Sequence, residues 1–211
     1  SFSNVIDDKY FTINYQAFLE SFLIGSLNIE IYTMIMDNMN PEIKESFLFC
    51  SLYPSVQSNN KDLVEFLLNK KVPCEDALIY ATRNNSLDII NIILKHNSSP
   101  SFINKKVRDG TALLIATNGN NIKIVKRLLS VPGIDPSLYE NKDQTPLICS
   151  IVNLNYDIMC EILNFYGDDI QKNQIDNAII ELLDLFSTNY DNDYLLPKML
   201  PILKRILEIK N

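Results

Sequence analysis

The sequence predicts an all-α chain, a solenoid of stacked helix-turn-helix repeats with short finger loops between the central ones. Three observations carry this. The segment DGTALLIATNGNNIKIVKRLL at 109–129 returns as DQTPLICSIVNLNYDIMCEIL at 143–163, with Thr111 and Thr145 34 residues apart. A capping residue followed by apolar pairs three and four, then seven and eight, positions later recurs five times. Between the central units lie stretches rich in Gly, Pro, Asn and Asp. Self-similarity at such a period marks a stack of small units. The pair spacing places four side chains on one face of a helix with 3.6 residues per turn.

In chain order, the units are headed by Asn28, Asn60, Ser86, Asn121 and Asn155. Their pairs are Ile31/Tyr32 and Ile35/Met36, Leu63/Val64 and Leu67/Leu68, Ile89/Ile90 and Ile93/Leu94, Ile124/Val125 and Leu128/Leu129, and Ile158/Met159 and Ile162/Leu163. Asn and Ser side chains accept from the free N–H groups of a first helical turn. Glu30, Asp62, Asp88 and Asp157 follow two residues after their caps, where negative charge complements the helix dipole; Lys123 is the exception. Ahead of each unit a first helix is expected, over 15–25, 41–56, 75–83, 112–118 and 146–152. Pro41 and Pro146 fall in first turns, where a missing N–H costs nothing. The connectors NSSPSFINKKVRDG and SVPGIDPSLYENKDQ have the composition of projecting turns. NKKVPC is too short for a finger. Residues 173–211 predict two more helices. Ile175, Ile179, Leu182, Leu183 and Phe186 mark the first; Leu203, Ile206 and Leu207 mark the second, interrupted by Pro197 and Pro201. STNYDNDY is the loop between them, and a solenoid is expected to end in such an irregular pair.

A helix pair with a finger, repeated about every 33 residues, resembles the ankyrin repeat. Thr145-Pro146-Leu147 matches the family's Thr-Pro-Leu-His tetrapeptide, with Ile148 for the His, and Thr111-Ala112-Leu113-Leu114 is a looser match. The family's small first-helix residue appears as Ala81, Ala116 and Ser150, and its Gly-Ala-Asp-Pro finger ending as Gly133-Ile134-Asp135-Pro136. The resemblance implies one elongated ankyrin-type domain over 1–211. Within it, 14–72 holds degenerate N-terminal hairpins, 73–165 the ankyrin repeats and 166–211 the capping helices.

Composition bounds the function. A hydrophobic content of 46% with 21% charged residues in 211 is that of an ordinary globular chain. Abundant Asn and Ile with scarce Ala and Gly reads mostly as a bias toward AT-rich codons. The net charge of −7 argues against broad phosphate-backbone binding, so no nucleic-acid partner is expected. No apolar run approaches the roughly 20 residues of a membrane span, so no insertion is expected. The chain opens on Ser1 with no signal-peptide pattern, and a fragment of a longer chain is one reading. Cys50, Cys74, Cys149 and Cys160 form neither a disulfide framework nor a zinc spacing. Cys50, Cys149 and Cys160 are expected as reduced core residues, in the cytosol or nucleus.

No catalytic set emerges, and neither a cofactor nor a metal is expected. His96, the one histidine, falls at a helix end, where its cation is favourable. Gly25, Gly110, Gly119, Gly133 and Gly167 sit at helix ends or turns rather than in a phosphate loop. Asp168-Asp169 and Asp191/Asp193 read as caps or solvated loop, without the spacing of a calcium loop. Phe18, Phe22, Phe47, Phe49, Phe66 and Phe165 lie on helical stripes and are expected in the core.

What remains is surface. The resemblance implies that partner proteins dock on the finger tips and the concave face of the first helices. Here those positions are Gln57, Ser58, Arg83, Asn84, Asn118, Gly119, Val152 and Asn153, with Arg108, Lys142, Asp143 and Gln144 at finger tips and Tyr139 as an exposed finger aromatic. A non-catalytic protein–protein interaction scaffold is the expected function. A regulatory or targeting segment of a larger protein is the alternative, and a helical enzyme with an unfamiliar site a distant third.

Overall fold

A computed structural model describes residues 29–108, 110–138, 144–167, 172–188 and 192–210. The helix expected at 15–25, the cap Asn28, Phe18, Phe22, Asp168, Asp169 and Asp191 lie outside these. The described residues are helical, apart from turns and one isolated antiparallel bridge, Val107 to Gly110.

The chain divides into two compact units, Ser1–Asn97 and Ser98–Asn211. The first holds α1 (Ile29–Asp37), α2 (Pro41–Gln57), α3 (Lys61–Asn69), α4 (Ala77–Arg83) and α5 (Leu87–His96). The second holds α6 (Pro100–Ile103), α7 (Ala112–Asn118), α8 (Ile122–Leu129), α9 (Pro146–Val152), α10 (Tyr156–Tyr166), α11 (Lys172–Thr188) and α12 (Asn192–Lys210). Within each unit first helices pack on first helices, α2 on α4 and α7 on α9 on α11. Second helices do likewise, α3 on α5 and α8 on α10 on α12. The predicted pairs of α3, α5, α8 and α10 are all buried in these contacts. In α1 only Tyr32 and Met36 are buried, and Ile31 is exposed. Tyr32 stacks on Phe47 of α2, ring centroids 4.9 Å apart, and meets the edge of Phe66 of α3 at 5.9 Å.

One turn joins the two helices of four hairpins. Asn59, Asn85, Asn120 and Leu154 adopt φ of 56, 54, 52 and 52°, the left-handed region where Asn is enriched. The next N–H, of Asn60, Ser86, Asn121 and Asn155, donates back to the carbonyl of Ser55, Ala81, Ala116 and Ser150 at 2.8–3.0 Å. The left-handed residue donates to the carbonyl that follows, giving the Schellman pattern of a helix end. The four accepting residues are small and fully buried or nearly so, so Ser55 extends the small-residue series one unit earlier. Asn usage thus has a local physical role at these turns, beyond codon bias.

The same residue then caps the second helix. Asn60, Asn121 and Asn155 accept through Oδ1 from Leu63, Ile124 and Ile158 at 3.1–3.2 Å. Ser86 is a correction: its side chain makes no cap bond and its hydroxyl turns to the Asn84 carbonyl. At the ψ of 78–90° that this turn imposes, Asn reaches the third N–H and the shorter Ser does not. Thr111 and Thr145 cap α7 and α9 with their own hydroxyls, but from extended backbone at ψ of 166 and 160°. Asn121→Ala is therefore expected to cost about 1 kcal/mol, and Ser86→Ala less than about 0.5 kcal/mol. Urea midpoints of the two variants check this, and equal losses would refute the reach argument.

The finger connectors are better tied than projecting turns. The first contains α6, which buries Phe102 and Ile103. Asn104 then bonds the second connector twice, donating from Nδ2 to the Gly133 carbonyl at 2.8 Å and accepting at Oδ1 from the Asp135 N–H at 2.9 Å.

Several expectations are corrected. The first helix of the third unit begins at Ala77 rather than residue 75. Phe49 and Phe165 are exposed rather than core, as are Leu183 and Leu207; each lies on the outer side of a helix whose inner side is already filled. Cys149 is buried, but Cys50 and Cys160 are only half-buried. Pro197 and Pro201 do not interrupt α12 but lie inside it. Both are exposed, and each removes one helical N–H donor from α12.

Tyr32 is fully buried, and its hydroxyl has no hydrogen-bond partner among the described residues. Burial pushes its phenol far above the tyrosine range, against a smaller opposing effect of the nearby Ser51. Burial likewise pushes Tyr166 up to about 12, against the hydrogen bond from Gln174. Both groups hold their protons more tightly folded than unfolded, where tyrosine ionises near pH ~10. Stability is therefore fully present below that pH and declines as pH rises through it. Tyr32→Phe is expected to leave neutral-pH stability within about 1 kcal/mol of the parent or above it, and to reduce the alkaline decline. Denaturant curves at both pH values test this; a larger neutral-pH loss would mean that the hydroxyl is bonded.

Candidate functional site

α2 is apolar on two sides, which a helix covered on one side does not need. Phe47, Ser51, Leu52, Ser55 and Val56 face inward. Phe49 and Tyr53, four apart and so on one face, are exposed, Phe49 at 60%. On α4 the same side carries Tyr80, with Arg83 three residues on. The packing of α2 on α4 sets Tyr53 edge-to-face with Tyr80, centroids 4.3 Å apart and planes at 63°. The Arg83 guanidinium lies 5.9 Å from the Tyr80 centroid. Pro73, Cys74, Glu75 and Asp76, from the connector ahead of α4, close one end. The result is a groove of about 630 Å³, lined on the α2 side by Phe49, Cys50, Leu52, Tyr53 and Val56 and on the α4 side by Ala77 and Tyr80. Burial pushes the Cys50 and Cys74 thiols up, so neither is a poised nucleophile.

The expected contact residues fall beside this groove and at matching places in the second unit. Gln57 and Arg83 end α2 and α4 and are exposed. Ser58 is half-buried and gives its hydroxyl proton to the Ser55 carbonyl. Asn84 reaches across from α4 to the Val56 carbonyl at 3.4 Å. In the second unit Asn118 and Gly119 end α7, Val152 and Asn153 end α9, and all four are exposed. Arg108 and Gln144 are exposed in the connectors; Tyr139, Lys142 and Asp143 lie outside the described residues. Sequence reasoning missed the groove itself. Tyr53 and Tyr80 were not singled out and Phe49 was assigned to the core. The signal that would have found them is the two-sided apolar pattern of α2.

A second cavity, about 390 Å³, is lined by Tyr156, Leu200, Pro201, Lys204, Arg205 and Glu208. Arg205 there is engaged with Asn164 at 3.2 Å and Glu208 at 3.6 Å. Among the described residues no His, Cys, Asp or Glu cluster is arranged to hold a metal ion, and no helix is long and apolar enough to cross a membrane.

Stacked helix hairpins with a repeated turn, small buried first-helix residues and threonine-capped first helices define a helical repeat protein. Residues 78–175 match the family model of ankyrin repeats, in 3 copies, and over that stretch the chain is similar to ankyrin-repeat proteins. No curated protein matches it. Ankyrin repeats are in general protein–protein interaction modules and typically non-catalytic.

Proposed function

We propose that this chain is a non-catalytic scaffold that binds a partner protein through the exposed side of its first helices and its finger connectors. The observation that carries the reading is the row of aromatic residues formed by exposed Phe49 and Tyr53 and half-buried Tyr80, with Arg83, on the first-helix side of α2 and α4. Tyrosine and arginine are the residue types that dominate binding energy at protein interfaces, and an exposed apolar patch on an otherwise well-buried helix pair marks an interaction surface. Free cysteines at 50, 74, 149 and 160 favour a reducing compartment, the cytosol or nucleus.

The test is affinity capture from a lysate of the source cell, followed by titration of the captured protein. Arg83→Ala with Arg108→Ala, and Tyr53→Ala separately, are expected to weaken binding about tenfold or more. The double arginine variant should melt within about 2 °C of the parent. Unchanged affinity in both variants would sink the assignment.

A further inference from the structure

We infer that the groove between α2 and α4 receives a basic side chain, Lys or Arg, of the partner protein; this rests on the proposed binding role of that face. Both charged residues lining the groove, Glu75 and Asp76, are carboxylates. The walls beside them are aromatic: Phe49, Tyr53 and Tyr80. A long cationic side chain matches that combination, because its alkyl stem covers apolar rings while its head seeks negative charge. Aromatic faces add their own attraction for a cation. Direction follows from α4. Asp76, Tyr80 and Arg83 succeed one another at four and three residues, so they share one side of the helix. The acidic end and the Arg83 end are therefore separated by the Tyr80 ring, which Arg83 already overlies. An incoming cation is repelled from the Arg83 end and drawn to the Glu75 and Asp76 end. The volume of about 630 Å³ accommodates one such side chain and an apolar neighbour. A chain of net charge −7 also favours encounter with basic segments.

The probe is a set of fluorescein-labelled octapeptide pools with Arg, Lys, Leu or Glu fixed at the centre and uncharged residues randomised elsewhere, read by anisotropy against the whole chain. The Arg and Lys pools are expected to bind about tenfold or more tighter than the Glu pool and tighter than the Leu pool, with affinity falling as salt rises. Glu75→Gln with Asp76→Asn should abolish that preference while retaining the helical circular dichroism of the parent. Tyr53→Ala should weaken the Arg, Lys and Leu pools together. Preferred binding of the Leu pool, lost in Tyr53→Ala but indifferent to Glu75→Gln with Asp76→Asn, would overturn the basic occupant and leave the groove as a protein-binding site. Self-association in sedimentation that disappears with Tyr53→Ala would overturn it in favour of a second copy. Failure of every pool to bind the parent would overturn both readings.

Discussion

Leu128→Ala is expected to cost about 2–5 kcal/mol, and Ile93→Ala the same. Both side chains are fully buried at the seventh position of their helices, among the apolar pairs that define the repeat. α8 and α5 have eight and ten residues, too few to persist alone in water. Their stability comes from contact with the other helix of their own hairpin and with the neighbouring hairpin, α8 with α7 and α10, α5 with α4 and α3. Truncation at the centre of such a contact removes transfer energy and leaves a cavity between elements that collapse poorly around it. In a stack whose members touch only their neighbours, the loss spreads to the adjacent hairpin. Denaturant unfolding by circular dichroism measures it, with Lys123→Ala on the exposed side of α8 as control. A midpoint shift at constant slope reads as lost stability, a fall in slope as separate melting of one segment. Costs below about 1 kcal/mol for both variants would mean that these helices do not pack as described.

Gly133→Ala should cost about 2–4 kcal/mol, from two sources that act at one atom. Its φ of +83° is a conformation that a side chain disfavours, by about 1–2 kcal/mol. A Cβ there would also lie 2.8 Å from Cγ of Pro100, a rigid ring that cannot swing aside, and overpacking of that kind adds about 1–3 kcal/mol. The turn has little freedom to relax, because Asn104 holds the Gly133 carbonyl and the Asp135 N–H together. Pro100→Ala in the same background removes the ring and should restore only the second contribution, a separation that a double-mutant cycle resolves. Gly119→Ala is the contrast: with ordinary φ and a nearest neighbour at 3.4 Å, it should fall within about 0.5 kcal/mol of the parent or stabilise. If Gly133→Ala behaved like Gly119→Ala, the connectors would not be packed against each other at Pro100 and Gly133.

Short-range chemistry was legible because it repeats. α7 and α9 start and stop where the Thr caps and the next polar turn predict. The apolar pairs of four second helices are buried as their spacing requires. Leu154 shows the limit: it occupies the left-handed position that Asn59, Asn85 and Asn120 hold in the other hairpins, and its identity gives no hint of it. The turn is imposed there by the helices on either side. Ser86 fails as a cap for a related reason, since residue type announces a cap but backbone ψ decides whether the oxygen reaches.

The chain by itself determined that helices form, roughly where they begin, and that they come in repeated pairs, because caps and 3.6-residue periodicity act within a few residues. Only the tertiary structure decided which apolar residues leave the core. Phe47 and Phe49 are two apart on the same helix, and nothing local separates them; the first is buried against α1 and the second stands on a groove because α4 packs along one side of α2 and leaves the other open. Burial is a property of neighbours distant in sequence.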